Sequence, residues 1–280
     1  MIKAAFLNET PDTLRRVYAE RQMARLNKLV QLYPAVITSV DEARAARDAL
    51  KDIEVVFSTW GMPAMTEAEI KECFPSLKAV FYGAGSVQNF ARPFLNAGVR
   101  VYSAWQANAV PVVQYAFAQI LLATKGYFRV QPLTRANRDA GHKLFENYPG
   151  NYDVKIGLLG CGAIGSRLAE MLRQIDCEVL VFDPFLSEER AEKLHVKKAE
   201  MAEIFAECDV ISNHLANLPA TVGIIKRDCF LSMKPYATFI NTGRGPQLDE
   251  KDLYDALTSV PTRTALLDVM TNEGHSNENP

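Results

Sequence analysis

VKIGLLGCGAIGSRLAEMLRQI, Val154 to Ile175, decides how the rest of this 280-residue chain is read. An apolar run ends at Leu159, three glycines follow as Gly160, Gly162 and Gly165, and a pattern of helical period then runs to Ile175. In a Gly-x-Gly-x-x-Gly turn between strand and helix, each glycine has its own task. Gly160 makes the tight turn, Gly162 lets backbone approach a pyrophosphate, and Gly165 lets helix and strand pack closely. Ala163 and Ile164 open the helix, whose first N–H groups and positive dipole end favour phosphate. The next apolar run, EVLVFDP, ends in Asp183, 18 residues after Gly165. A carboxylate there accepts from both ribose hydroxyls and meets a 2'-phosphate as a like charge, so the pattern predicts a Rossmann unit that binds NAD rather than NADP.

On both sides of this stretch, short apolar runs alternate with helical patterns. Upstream come KAAFL, a helix over about Pro11 to Leu32, AVIT, a helix over Asp41 to Leu50, then IEVVFS, LKAVFYGAG and VRVYSAW, ending near Ala104. Such alternation predicts an α/β protein of two doubly wound parallel-sheet domains, residues 1–104 and 105–280. The run AVPVVQYAFAQILLATKGY, Ala109 to Tyr127, is apolar nearly all round. It reads either as a core helix or as one that fills an interface between domains or subunits. The polar segment 128–150, with Pro132, Gly141 and Pro149, reads as an arm or linker.

Downstream, DVISNHLANLPAT (Asp209 to Thr221) and ATFINTGRGPQLDEKDLYDAL (Ala237 to Leu257) each begin as a strand and pass into a loop. Open α/β sheets bind ligands at the C-terminal ends of their strands. Arg244, held between Gly243 and Gly245 at such an end, reads as a planar fork for a carboxylate or as a solvated loop arginine. Trp60, in FSTWGMP after a strand, reads as a pocket wall or as a core side chain.

Composition lends several classes no support. With 31 basic and 33 acidic residues there is no overall positive charge to hold nucleic acid or an anionic membrane. No stretch approaches eighteen uninterrupted apolar residues, and MIKAAFLNET is too short for a signal core, so neither membrane nor secretion is expected. The five cysteines form no Cys-x-x-Cys pair, and no histidine stands at metal-ligand spacing. That predicts no metal site, no disulfide framework and a reducing, cytoplasmic setting.

The chain resembles the D-isomer-specific 2-hydroxyacid dehydrogenase family, which includes phosphoglycerate dehydrogenases and glyoxylate/hydroxypyruvate reductases. The likeness rests on motifs spread over nearly its whole length: GAG at Gly83 to Gly85, NAVPVVQYAF, GLLGCGAIG, the FDP acid, HLANLPAT, NTGRG followed by LDEKDLYDAL, and LLDV with Glu273. The resemblance implies a flavodoxin-like substrate domain followed by the Rossmann NAD-binding domain, and a small 2-hydroxy or 2-oxo acid as substrate. It implies that Arg244 binds the carboxylate and polarises the 2-oxo group, and that Glu273 orients the catalytic histidine. Ala84 and Gly85 offer backbone N–H groups to the carboxylate. Ala163 and Ile164 meet the pyrophosphate and Asp183 the ribose. His214 and Leu215 lie in the cofactor loop, while Thr221, Thr242, Gly243 and Asp268 meet the nicotinamide half. A homodimer through the long helix and arm, 109–150, is also implied.

The family's proton donor is a histidine in a Pro-His pair, and this sequence has no such pair. His214 matches a different family position, and His275, two residues after Glu273, stands too early in the pattern. The closing stretch ALLDVMTNEGHSNENP is therefore expected to be a cut edge, with the base and a closing helix beyond Pro280. Ala216, Gln114 and Gly274 depart from the family's usual residues. Two other readings remain: a non-catalytic NAD-binding regulator, and an inactive fragment. Phe81 and Tyr82, with Trp60, suggest a pocket for an apolar side chain or a small acid.

Overall fold

The computed structural model describes residues Met1–Thr271. They form two compact units, one from Met1 to Ala109 and one from Val110 onward, each built on its own sheet. In the first, β1 (Ile2–Leu7), α1 (Pro11–Val17), α2 (Glu20–Leu26), β2 (Val30–Ile37), α3 (Val40–Ala45), α4 (Arg47–Leu50), β3 (Val55–Ser58), α5 (Glu67–Cys73), β4 (Ala79–Tyr82), α6 (Ala91–Asn96) and β5 (Arg100–Ser103) follow in order. Every strand pairing is parallel and the spatial order is β2-β1-β3-β4-β5. Side chains alternate across the sheet as a period of two requires. Ala5 and Leu7 of β1 join one buried cluster with Val56 and Val80, while Ala4 and Phe6 join another with Val30 and Phe57.

The first helix expected over Pro11 to Leu32 is in fact two helices and the start of a strand. The break falls at Tyr18, whose ring packs edge-on against Phe6 and Phe57 and whose hydroxyl donates to Ser58 O at 3.3 Å. Tertiary packing of one aromatic outweighs a helical pattern here, since propensity is only a weak prior.

In the second unit, α7 (Trp105–Thr124) leads in from the first, followed by α8 (Tyr127–Ala136), α9 (Arg138–Phe145), β6 (Val154–Leu159), α10 (Ala163–Leu172), β7 (Cys177–Phe182), α11 (Glu188–Leu194), β8 (Lys197–Lys198), α12 (Met201–Glu207), β9 (Val210–Asn213), α13 (Arg227–Ser232), β10 (Thr238–Asn241), α14 (Glu250–Ser259) and β11 (Thr264–Leu267). The order of this parallel sheet is β11-β10-β9-β6-β7-β8. Val154, Ile156 and Leu158 of β6 face one core cluster, whereas Leu159 faces the other. Gly157 lets α12 close on the strand, because a Cβ there would come within 2.3 Å of Ile204 Cγ2.

One expectation needs correction. Segment 128–150, expected as an arm or linker, is a helical hairpin over much of its length. Asn137 caps α9 by accepting from Ala140 N, and Gly141 lies so close to Thr134 that a Cβ would meet its backbone at 2.7 Å. One Asn and one Gly thus fold a polar stretch back on itself. The long helix, read as apolar on nearly every side, buries Val113, Ala116 and Ile120 against β6 and α10 but leaves Val110, Tyr115 and Leu122 exposed. By length and composition alone α7 could cross a membrane, a test that helices packed in globular cores also pass.

Candidate functional site

In each unit the sheet reverses its winding at one point, and there the helices that follow neighbouring strands leave on opposite faces and open a crevice. In the second unit that point lies between β6 and β9. The residues that directly follow five of its strands are Gly160, Asp183, His214, Thr242 and Asp268. All five were singled out from sequence, and parallel pairing brings them to one edge.

The glycine turn is built as its spacing requires. Gly160 has φ +93°, and a Cβ on it would meet His214 O at 2.8 Å, so the turn and the β9 loop touch backbone to backbone. A Cβ on Gly165 would lie 2.0 Å from Gly160 O, which brings the first turn of α10 against the loop. At Gly162, the N-cap of α10, a Cβ would meet no protein atom within 4 Å. That open approach, in front of Ala163 and Ile164 in the first turn of the helix, fits a pyrophosphate. Asp183 accepts from Cys161 N at 2.6 Å through one oxygen and from Phe185 N at 2.8 Å through the other. It braces the turn and keeps lone pairs for ribose hydroxyls, because an ionised carboxylate offers about four acceptor positions. Sequence reading missed Arg190, whose guanidinium donates to Cys161 O at 2.9 Å and Ser166 Oγ at 2.6 Å, tying α11 to the same turn.

His214, assigned from sequence to the cofactor loop, turns its ring inward. Nε2 lies 2.9 Å from Ser212 Oγ and Nδ1 2.8 Å from Thr242 Oγ1, so a neutral ring, with one donor and one acceptor, satisfies both hydroxyls. Burial without a charged partner pushes its pKa down to about 3. The unfolded chain takes that proton near pH 6.5 and the folded chain only near pH 3, so the stabilisation is complete above pH 6.5 and drains away as pH falls between the two. The full loss is on the order of 5 kcal/mol. Urea unfolding at a series of pH values from 7 to 4 should show this decline, and His214→Gln should reduce its slope by about one proton. An unchanged slope would place the titrating group elsewhere.

Leu215 also faces inward, its N–H bonded to Asn213 Oδ1 at 3.1 Å. Thr221 spends its hydroxyl on its own loop, donating to Ala216 O at 2.7 Å and Leu218 O at 2.9 Å. His214, Leu215 and Thr221 therefore use these groups to shape the β9 loop rather than to present them outward. Thr242 is buried, and Gly243 has space for no side chain, since a Cβ would lie 2.4 Å from Gln247 Oε1 and 2.7 Å from Asn213 Nδ2.

Arg244 is partly exposed, one guanidinium N–H donating to Gly243 O at 2.6 Å. Its neighbour Gly245 is pressed against the strand-end segment after β11, where a Cβ would meet Met270 C at 2.1 Å. Asp268 N donates to Asn241 O at 3.0 Å and Thr271 N to Glu250 Oε1 at 2.7 Å, so the stretch leading toward Glu273 is fixed beside the arginine loop. Glu273 itself, like His275, lies outside the described residues.

In the first unit the winding reverses between β1 and β3. Asn8, directly after β1, donates to Trp60 O at 2.8 Å and accepts from Thr10 N at 2.8 Å, so it pins the loop after β3. The Trp60 side chain is 51% exposed, which rules out the core reading. Ala84 and Gly85 follow β4, and Ser103 Oγ donates to Ala84 O at 2.9 Å. Phe81 and Tyr82 do not wall a pocket at this edge. Phe81 stacks between Phe57 and Tyr102 on one sheet face, and Tyr82 is buried against Phe90 on the other. Both stand inside a strand, where side chains point to sheet faces and not to its end.

A glycine turn at the switch point, backed by an acid after the next strand, defines a dinucleotide-binding α/β domain. The chain belongs to the D-isomer specific 2-hydroxyacid dehydrogenase family: residues 117–280 match the family's NAD binding domain, and NAD is the cofactor of this unit. A D-3-phosphoglycerate dehydrogenase of Archaeoglobus fulgidus is 28% identical over 220 residues, 76% of this chain and 40% of that protein. The chain thus spans about two fifths of the length of the phosphoglycerate dehydrogenases it matches. Among solved structures, phosphoglycerate oxidoreductase from Vibrio cholerae is 27% identical with a TM-score of 0.65, covering 100% of this chain and 87% of that one. D-mandelate dehydrogenase of Rhodotorula graminis, at 20% identity and a TM-score of 0.78 over 98% of this chain and 83% of that one, shares the fold.

Proposed function

We propose that the chain is an NAD(H)-dependent oxidoreductase that interconverts a D-2-hydroxy acid and its 2-oxo acid. The observation that carries this reading is the placement of Gly160, Asp183, Asp268 and the Arg244 loop on one sheet edge, with Gly162 open to a ligand. We assign residues 1–104 to substrate binding and 105–280 to the cofactor. In the first unit, Trp60 and the backbone N–H groups of Ala84 and Gly85 are the substrate-binding candidates, because each follows a strand at its C-terminal end. In the second, Arg244 takes the carboxylate with its planar fork and stabilises the charge that develops on the 2-oxo oxygen. Gly162, Ala163 and Ile164 take the pyrophosphate and Asp183 the ribose. Gly243 and Asp268 border the nicotinamide end, while His214, Leu215, Thr221 and Thr242 shape its loop. Glu273 is the acid that orients the proton donor. Bound NADH supplies the hydride.

The exposed apolar side chains of α7, with Tyr127 beside them, support a homodimer through segment 109–150. The cysteines support a reducing, cytoplasmic setting, since all five are free and Cys73, Cys161 and Cys208 are buried. Packing of α7 on β6 supports a chain that acts without a membrane partner, and the balanced charge one that acts without nucleic acid.

The test is the loss of NADH absorbance with glyoxylate, hydroxypyruvate, pyruvate and bulkier 2-oxo acids, with NADPH run in parallel. Turnover is expected with a member of this set, and NADH should be preferred by roughly tenfold or more because Asp183 repels a 2'-phosphate. Tight NADH binding without turnover of any would instead favour a non-catalytic NAD-binding module.

A further inference from the structure

Three amide side chains lie beneath the arginine loop, and none was singled out from sequence. Asn213 closes β9, Asn241 closes β10, and Gln247 sits in the short 3-10 turn Gly245–Gln247. All three are buried, at 0%, 0% and 1% exposure. Their bonds interlock. Asn213 Nδ2 donates to Asn241 Oδ1 at 2.9 Å and to Gln247 Oε1 at 2.8 Å, while its Oδ1 accepts from Leu215 N. Gln247 Oε1 also accepts from Arg244 N at 3.0 Å, and Nε2 donates to Leu215 O at 3.1 Å and Ala216 O at 3.0 Å. Asn241 holds Gly243 N at 3.1 Å and Arg244 O at 3.4 Å.

We propose that Gln247, seated on Asn213 and Asn241, is a positioning residue for substrate recognition: it fixes the backbone of Arg244 and ties that loop to the cofactor-side loop at Leu215 and Ala216. The inference rests on the reading of Arg244 as the carboxylate-binding arginine. Only an amide serves at this position. Its oxygen faces two N–H donors and its nitrogen two carbonyls, so a hydrocarbon strips Arg244 N and Leu215 O of the side-chain partner each has here, leaving Ala216 O only to Thr221 and Asn213 Nδ2 only to Asn241, and a carboxylate sets negative charge against two carbonyl oxygens. Such networks hold when complete and give way when one member is lost. A guanidinium on a loop released by even an ångström loses its fork geometry toward a carboxylate, and misplacement of that size costs on the order of 100-fold.

The experiment measures oxalate, as a dicarboxylate probe, binding to the chain saturated with NADH, followed by NADH fluorescence, with the Kd for NADH measured alongside. Wild type and Arg244→Gln set the scale: wild type should bind oxalate and Arg244→Gln should not. Gln247→Met should weaken oxalate by about 10-fold to 100-fold and NADH by less than about threefold, since the pyrophosphate and ribose contacts lie on other strands. Gln247→Glu supplies a signature that a purely structural brace lacks. When protonated, the introduced carboxyl can donate to one carbonyl and accept through its other oxygen; when ionised it cannot. Oxalate affinity of this variant should stand near wild type around pH 5 and fall as pH rises, a step absent from wild type. The ionisable side chains on and beside the two tied loops are His214, turned to Ser212 and Thr242, Arg244, Asp249 at the cap of α14, Glu250, which accepts from Thr271 N, and Asp268, whose N–H donates to Asn241 O; all are present in wild type as well.

If both Gln247 variants bind oxalate as wild type does while Arg244→Gln fails, the inference is overturned and the reading of Arg244 stands. If wild type does not bind oxalate, or Arg244→Gln binds it equally well, that reading fails and takes the inference with it. Should Gln247→Met not fold, the pH step of Gln247→Glu decides alone. Failure of both variants to fold would mark a structural brace only and overturn the proposal.

Discussion

Arg244→Gln should lower kcat/KM for 2-oxo acid reduction by about 100-fold to 1,000-fold, the range seen when one preorganised donor to a developing oxyanion is removed. The Kd for NADH should change by less than about threefold, because the cofactor's pyrophosphate and ribose are held by α10 and Asp183 on other strands. Gln is the informative replacement. It keeps length and polarity but loses both the charge and the planar fork that binds a carboxylate through two parallel bonds. Its bulk also leaves the turn intact, because the contacts that fix this loop run through the Arg244 backbone: N to Gln247 Oε1 and O to Asn241 Nδ2. Steady-state kinetics at saturating NADH, with NADH binding by fluorescence, checks the result. Turnover within about threefold of wild type would remove Arg244 from the chemistry.

Much of the cofactor edge could be read from sequence because its demands are local. A tight turn, a close backbone approach and an acid one strand later occupy fixed spacings, and the observed Gly160, Gly165 and Asp183 geometry follows from them. The alternation of elements was equally legible, since buried parallel strands such as β6 and β9 read as short apolar runs. What escaped was non-local. The amide triad joins positions 28 and 34 residues apart, and nothing in SNH or INT alone says that Asn213 and Asn241 would be parallel neighbours. The hairpin of α8 and α9 was hidden for a related reason. Both helices are polar on average, and the crossing depends on one small residue, Gly141, meeting Thr134. Trp60 was ambiguous because a tryptophan after a strand serves pocket and core alike, and only its exposure separates them.

Two of the turn's three glycines, Gly162 and Gly165, make contrasting predictions, and the contrast tests whether the turn exists to hold a ligand. At Gly165 a Cβ would sit 2.0 Å from Gly160 O and 3.0 Å from Gly160 C, both backbone atoms that cannot swing aside. Gly165→Ala must therefore push α10 off the turn, costing about 1–3 kcal/mol or more in stability. That movement also carries the helix N-terminus away from the pyrophosphate, so NADH binding should fall by about 100-fold or more, roughly 2.7 kcal/mol. At Gly162 φ is −76° and nothing lies within 4 Å of the added Cβ, so Gly162→Ala has no protein atom to displace. Its melting temperature should stay within about 2 °C of wild type, since a substitution free of core contacts shifts stability by about 0.5 kcal/mol or less. NADH affinity should nevertheless fall by about tenfold or more, because the methyl group occupies the space through which backbone approaches the phosphates. Thermal melts and fluorescence titration on both variants separate the cases. Loss of affinity without loss of stability at Gly162, beside loss of both at Gly165, would mean that the first glycine makes room for the ligand and the second for the fold. If Gly162→Ala instead bound NADH as wild type does, the pyrophosphate would have to approach by another face, and Ala163 and Ile164 would lose their assignment with it.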